Sequence, residues 1–210
     1  MRAMRNEKGA TLIEVAITSL LTVTIILAVG SVTAQTNRKL FSETDRIEMQ
    51  EKGRAIMDII ATYGRATGAD RAGIFSNAPY TTTSVMPIPQ ASSTMMRLRS
   101  DYDDNGALAT TLPEDITVSW TSGTKTLVIG SSTFSNISNF VIRYYDSSGA
   151  QLAGTWNIAA SAADGPALRS IARIQVEVEL EARHTDPTTN QLAHETLLWD
   201  VAVRNQLTTL

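Results

Sequence analysis

The chain has 210 residues, 43% of them apolar, with 18 basic and 21 acidic side chains and no cysteine. That length carries one domain of ordinary size with a core of its own. A formal net charge of −3 with no basic stripe argues against nucleic-acid binding, and the lack of cysteine excludes a disulfide framework and a thiol nucleophile.

The first nine positions carry Arg2, Arg5 and Lys8. Gly9–Ala34 then reads as one long apolar run, and between Leu12 and Val32 the only ionisable side chain is Glu14. About 20 such residues as a helix span the ~30 Å hydrocarbon core of a bilayer. Positive charge stays cytoplasmic, so everything after Val32 is expected on the far side of the membrane. The carboxylate is the anomaly. Placing it in lipid costs at least ~2.5–3.5 kcal/mol, which makes it a functional candidate in need of a positive partner. A free amine supplies one if the chain is cut just before Ala10. A secretory signal ending at Val32-Thr33-Ala34 has too short an apolar region to match this run, and a plain signal anchor leaves Glu14 unexplained.

Lys8-Gly9-Ala10-Thr11-Leu12-Ile13-Glu14 resembles the processing site of type IV prepilins and pseudopilins. The resemblance implies that a membrane prepilin peptidase cuts after Gly9 and methylates Ala10, the first mature residue. It implies that Glu14 then neutralises the N-terminal amine of a neighbouring subunit during assembly. Ala10 stands where the family usually has phenylalanine. The proline that many major pilins carry in this helix is absent, which leaves Gly30 as the only breaker in the span. Many major pilins also close a C-terminal loop with a disulfide, so a chain without cysteine looks like a minor pilin or pseudopilin.

From Gln35 to about Thr67 the pattern is that of an amphipathic helix. Leu40, Phe41, Ile47, Met49, Ile56, Ile59, Ile60 and Tyr63 recur near helical spacing, with charged residues over much of the rest. This stripe is expected to pack on the domain's own sheet, with a partner helix as the alternative. Gly64, Gly68 and Gly73 mark the helix end. One helix from Ala10 to about Thr67 is then ~85 Å long. The segments are a leader (1–9), a membrane or filament-core half (10–34), an amphipathic half (35–67) and a β-rich head (68–210). Asp45–Asp58 followed by Ala66-Thr67-Gly68-Ala69 is similar to PilW-type minor pilins. Ser138–Asp146 followed by Gly149 is similar to both PilW-type and GspJ-type proteins. Ile74–Ser93, rich in Pro, Ser and Thr, is a loop and a candidate contact surface.

The head reads as antiparallel β. Strands are predicted at Met95–Arg99, around Ile116–Trp120, at Lys125–Ile129, Ile137–Tyr145 and Ile174–Glu181, and through Leu197, Trp199, Val201 and Val203. One face of the sheet is expected on the helix and the other in water. Asp101, Asp103 and Asn105 before Gly106 resemble the first half of a calcium loop, but Leu112 stands where the closing glutamate belongs. Glu114 and Asp115 follow two and three places later, and a solvated turn explains the same residues. His184, Asp186, His194 and Glu195 flank a hairpin loop and read as exposed polar residues rather than a metal site, while the three tryptophans read as packing. No phosphate-cradling loop or dinucleotide fingerprint occurs, so an enzyme is not expected. The fold class is α+β, with a long N-terminal transmembrane helix packed on a C-terminal antiparallel sheet. The resemblance implies a minor pilin that helps prime a pilus, a minor pseudopilin of a type II secretion system, or an adhesive tip pilin. It implies other major and minor pilins, the inner-membrane assembly platform and membrane lipid as partners. The head would be periplasmic at first and later lie in a surface filament.

Overall fold

The computed structural model describes residues 11–69, 74–75, 86–186 and 189–203. Gly9, Ala10, the rest of the leader and much of the Ile74–Ser93 loop lie outside them. A single helix, α1 (Leu12–Ala66), covers 55 residues without a break, and Gly30 sits inside it in open space. Its length is about 83 Å at the α-helical rise. The helix stops where the hydroxyl and N–H of Thr67 both donate to the Tyr63 carbonyl, at 2.7 and 2.9 Å. Gly68 then takes φ +75°, a left-handed conformation open to glycine, and its N–H donates to the Arg99 carbonyl.

Two halves of α1 live in different surroundings. Every residue from Thr11 to Thr44 is exposed, and burial begins at Asp45. From there Met49, Gly53, Ile56, Met57, Ile60, Ala61 and Gly64 form the buried stripe. Of the predicted apolar stripe, Met49, Ile56 and Ile60 join the core, and Ile59 and Tyr63 pack at its edge. Leu40, Phe41 and Ile47 do not, remaining 55–60% exposed. Leu40 precedes the first turn that meets the sheet, Phe41 only flanks the His184 ring at 5.9 Å, and Ile47 is about 200° around the helix from Met49.

The head contains β1 (Gln90–Ala91), β2 (Met95–Arg99), β3 (Asp115–Thr121), β4 (Thr126–Ile129), β5 (Ser132–Phe134) and β6 (Ile137–Tyr145). β7 (Gln151–Leu152), β8 (Trp156–Asn157), a short helix α2 (Gly165–Ser170), β9 (Arg173–Thr185) and β10 (Leu192–Ala202) follow. The expected single sheet is in fact two, with orders β5-β4-β3-β2-β1-β8 and β10-β9-β6-β7, antiparallel at every pairing. The sheets meet at β6, because β7 pairs only with its last two residues. Along the rest of that flank β6 bonds to the first sheet: Ile137 N–H donates to the Lys125 carbonyl and Ile142 N–H to the Ser93 carbonyl, at 3.0 and 2.7 Å. The buried Tyr144 hydroxyl donates to the Ser92 carbonyl, and burial pushes its pKa up. Inward residues of both sheets share one core with α1, among them Leu98, Ile116, Leu127, Phe140, Ile174, Val176, Val178 and Leu180.

Glycines let α1 approach the second sheet. A Cβ on Gly53 would collide with the Leu197 side chain, and one on Gly64 would lie 2.7 Å from Val201 Cγ1. Gly64 therefore serves close packing inside the last turns, and the stop signal is Gly68 alone among the described glycines. The contacts also fix direction. Asp45 meets His184, Gly53 meets Leu180 and Leu197, and Gly64 meets Val201. Between Gly53 and Gly64 the helix advances about 16 Å, and between Leu197 and Val201 the strand advances about 13 Å. β10 thus runs alongside α1 in the same sense, and β9 runs against it.

Arg97 and Arg99 on β2 both reach Asp115 on β3. Arg97 donates twice, at 2.7 and 2.6 Å, and Arg99 once at 2.9 Å, with the Asp115 side chain only 2% exposed. Burial pushes the Asp115 carboxyl up, but the two guanidinium groups outweigh it and hold the pKa below its usual value. A carboxylate with a depressed folded pKa contributes stability above its unfolded pKa of about 3.9, and that contribution is lost as pH falls through the folded value. Asp115→Asn should therefore lower stability by about 3–5 kcal/mol at pH 7, since it removes the buried carboxylate that Arg97 and Arg99 share. The gap between variant and parent should narrow in thermal melts as the pH falls below the usual carboxylate range. A second expectation concerns Gly64→Ala, measured on the full chain in detergent. It should destabilise by about 1–3 kcal/mol, because the stiff Val201 cannot swing away. Gly53→Ala should be milder, since the Leu197 side chain can rotate and alanine favours the helix by about 1 kcal/mol.

Candidate functional site

The start of α1 is built from its own sequence. Thr11 is the N-cap, and the Glu14 N–H donates to its hydroxyl at 3.4 Å. The Glu14 carboxylate returns the contact, accepting from the Thr11 N–H at 2.9 Å and from its hydroxyl at 3.2 Å. This is a capping box, legible in the spacing Thr-x-x-Glu but overlooked when Glu14 is read only as an assembly residue. It places a negative charge at the positive end of the helix. Beyond it, the hydroxyls of Thr18, Ser19, Thr22, Thr24, Ser31, Thr33 and Thr36 each donate to a carbonyl three or four residues back. The hydroxyl protons from Thr18 to Thr36 are thus satisfied internally, as a helix in hydrocarbon requires. Between Leu12 and Val32 the one charge is Glu14. α1 is long and apolar enough to cross a membrane.

The acidic loop after β2 folds differently from the calcium pattern. Asp101 and Asp103 come together with Glu114, each offering an oxygen within 4.8 Å of the others. Asn105 turns away from that role. Its Oδ1 accepts from the Ala107 N–H at 2.7 Å, and its Nδ2 donates to Asp103 Oδ2 at 2.7 Å. Glu114 comes in because Arg99 pairs with Asp115 and the Ser100 N–H donates to the Glu114 carbonyl. Main-chain groups already occupy the acids: Asp101 accepts from Asn105 and Gly106, and Glu114 accepts from Tyr102 and Ala109. The loop is tied by carboxylates to its own backbone, as turns of this composition are.

The hairpin residues do not converge on a metal. His184 Nδ1 lies 3.1 Å from Asp45 Oδ1, and the His184 N–H donates to Asp45 Oδ2 at 2.9 Å. His194 Nδ1 lies 3.0 Å from Glu179 Oε1. Asp45 and His184 stand 139 positions apart, so no local pattern could have paired them. Together with Arg38, Phe41, Asp186 and Ala193 they line a cleft of about 150 Å³ where α1 enters the head. Trp120 donates its indole N–H to the Ile137 carbonyl, and Trp156 meets Tyr144 edge-on. Trp199, by contrast, is 43% exposed.

No protein-family model, curated protein or solved structure matches this chain.

For the acidic loop, Glu114→Gln should lower the melting temperature by a few degrees, because main-chain donors lose a charged acceptor worth about 1–3 kcal/mol. Removing divalent cations with a chelator should leave the parent's melting temperature unchanged. A drop on chelation, restored by calcium, would show instead that Asp101, Asp103 and Glu114 hold a cation.

Proposed function

We propose that the protein is a PilW-like minor pilin of a type IV pilus. It would assemble through α1 and help prime the filament, with a minor pseudopilin of a type II secretion system as the same device in a different machine. One observation carries the proposal: the predominantly apolar run Leu12–Val32 of α1, with Glu14 as its single charge, is exposed and continues without a break into the helix that anchors the head. Such a surface has to be covered by lipid or by other helices. The prepilin-like residues Gly9, Ala10 and Glu14 say how the two coverings would be exchanged. Cleavage after Gly9 by a prepilin peptidase would free the Ala10 amine for methylation. Glu14 of an adjacent subunit would then pair with that amine as the helix moves from the inner membrane into a bundle of other pilins on the assembly platform. The buried charges support one another there, and removing one partner of such a pair costs about 3–5 kcal/mol. The head contributes a surface rather than a reaction.

Glu14 now has two candidate roles, and one substitution separates them. Glutamine still accepts from the Thr11 N–H and preserves the capping box, but it carries no charge. Glu14→Gln should be cleaved normally, with Ala10 found as the mature N-terminus by mass spectrometry, yet fail to enter filaments as fully as Glu14→Ala does. Parental incorporation of Glu14→Gln alongside loss of Glu14→Ala would assign the residue to helix capping. Recovery of a mature chain beginning at Met1 or Gln35 would overturn the processing step.

A further inference from the structure

The cleft where α1 enters the head stands at a set height above the apolar run. Leu12 to Val32 rises about 30 Å, the thickness of a bilayer's hydrocarbon core. Arg38 comes six residues later, about 9 Å further along the axis, and helical side chains lean back toward the N-terminus. Its guanidinium is therefore directed at the headgroup layer, roughly the first 5–8 Å outside the hydrocarbon. Arg38, Phe41, Ser42 and Asp45 fall three and four positions apart, so they share one helical stripe, and this stripe is one wall of the cleft. β9 supplies the facing wall. Asp45 accepts from the His184 N–H at 2.9 Å, and because β9 runs against α1, Thr185 and Asp186 continue from there toward the apolar end. Phe41 beside the His184 ring, with Ala182 and Ala193, makes the rest of the lining apolar.

We infer that this cleft holds the phosphate of a phospholipid from the leaflet on which the head rests. The inference depends on α1 anchoring the head in a membrane, as proposed above. Donors select the ligand first. Among the described residues Arg38, the Ser42 hydroxyl and the Thr185 hydroxyl have no hydrogen-bond or ion-pair partner. A guanidinium and a hydroxyl on one wall, with a second hydroxyl opposite, suit the several oxygens of a phosphate. The acids of the cleft are already engaged: Asp45 with the His184 main chain and ring, and Asp186 Oδ1 with the Thr189 N–H at 3.4 Å. Size comes second. The cleft encloses about 150 Å³, below the roughly 300–1,000 Å³ of pockets for drug-sized ligands, so it admits a compact headgroup and not a whole cofactor. The lining decides the source. Phe41 is exposed in the head by itself, and the glycerol and first acyl carbons below a bound phosphate would cover it, whereas a free phosphate would leave it in water.

The full-length chain is released from nanodiscs of phosphatidylethanolamine and phosphatidylglycerol into a phosphate-free detergent and weighed by native mass spectrometry. One phospholipid should stay on each chain. Nanodiscs of digalactosyl diacylglycerol, which has no phosphate, should leave no lipid bound, and inorganic phosphate added to them should leave no adduct. Arg38→Gln should lower phospholipid retention about tenfold, the loss of one charge-assisted contact. Thr185→Val probes the opposite wall and should lower it about threefold. Lys39→Gln removes the same charge one position along, outside the cleft lining, and should retain lipid as the parent does. Parental retention in Arg38→Gln would overturn the inference. So would galactolipid held as well as phospholipid, or a phosphate adduct formed without lipid. A loss in Lys39→Gln equal to that in Arg38→Gln would reduce the contact to general surface attraction, and an unaffected Thr185→Val would reduce it to an arginine reaching past the head into the headgroups; either result overturns the cleft as the site. Recovery of the unmodified chain outside the membrane fraction would instead overturn the anchoring on which the inference depends.

Discussion

One helix has to satisfy two solvents. Its last five or so turns are the central strut of a water-facing head, while the turns before them present an apolar surface that water cannot cover favourably. The backbone tolerates this because an α-helix closes its own hydrogen bonds wherever it lies. The side chains tolerate it because every hydroxyl from Thr18 to Thr36 returns to a carbonyl of the same helix. What the helix cannot satisfy internally is the surface itself, and for that reason it needs neighbours.

The head is arranged to hold that helix firmly. Two glycines on α1 bring it against Leu197 and Val201, a buried aspartate fastens it to the β9–β10 hairpin at the entry point, and Lys52 reaches the Ser135 carbonyl at 3.0 Å. Desolvation lowers the Lys52 pKa, which marks how closely the sheet covers that side. On the far sheet, Arg97 and Arg99 share Asp115, so the junction between the helix exit and the acidic loop is tied by charge as well as packing. α1 thus packs on β9 and β10 of the second sheet along its buried half and meets the first sheet at β2, where the Gly68 N–H donates to the Arg99 carbonyl. The outer face of the second sheet is a compensated ladder: Glu177 with Arg143, Glu179 with His194, Glu181 with Lys125 and Asp200 with Arg173. That face is suited to water.

Most elements were legible in the sequence, for a simple reason. Ile174–Glu181 alternates cleanly because one of its faces is fully buried, and the strand around it runs from Arg173 to Thr185. Met95–Arg99 is similar. Ser132–Phe134 escaped notice because three residues carry no period, and Gly165–Ser170 because a six-residue helix barely completes a turn beyond its proline. The candidate sites divide in the same way. Asp101 and Asp103 announce a turn through local spacing, but Glu114 joins them only through the pairing of β2 with β3, and Asn105 leaves because its amide finds the Ala107 N–H first.

The sequence by itself determined the long helix, its apolar and amphipathic halves, the lone acid at Glu14 and the β character of the head, because each depends on neighbours within a few positions of the chain. Only the tertiary structure decided that the strands form two sheets, that Gly53 and Gly64 are packing surfaces, that Asp45 seeks His184, and that β10 lies along the helix. Those outcomes depend on which distant segments share a space, and periodicity along a chain contains no term for that.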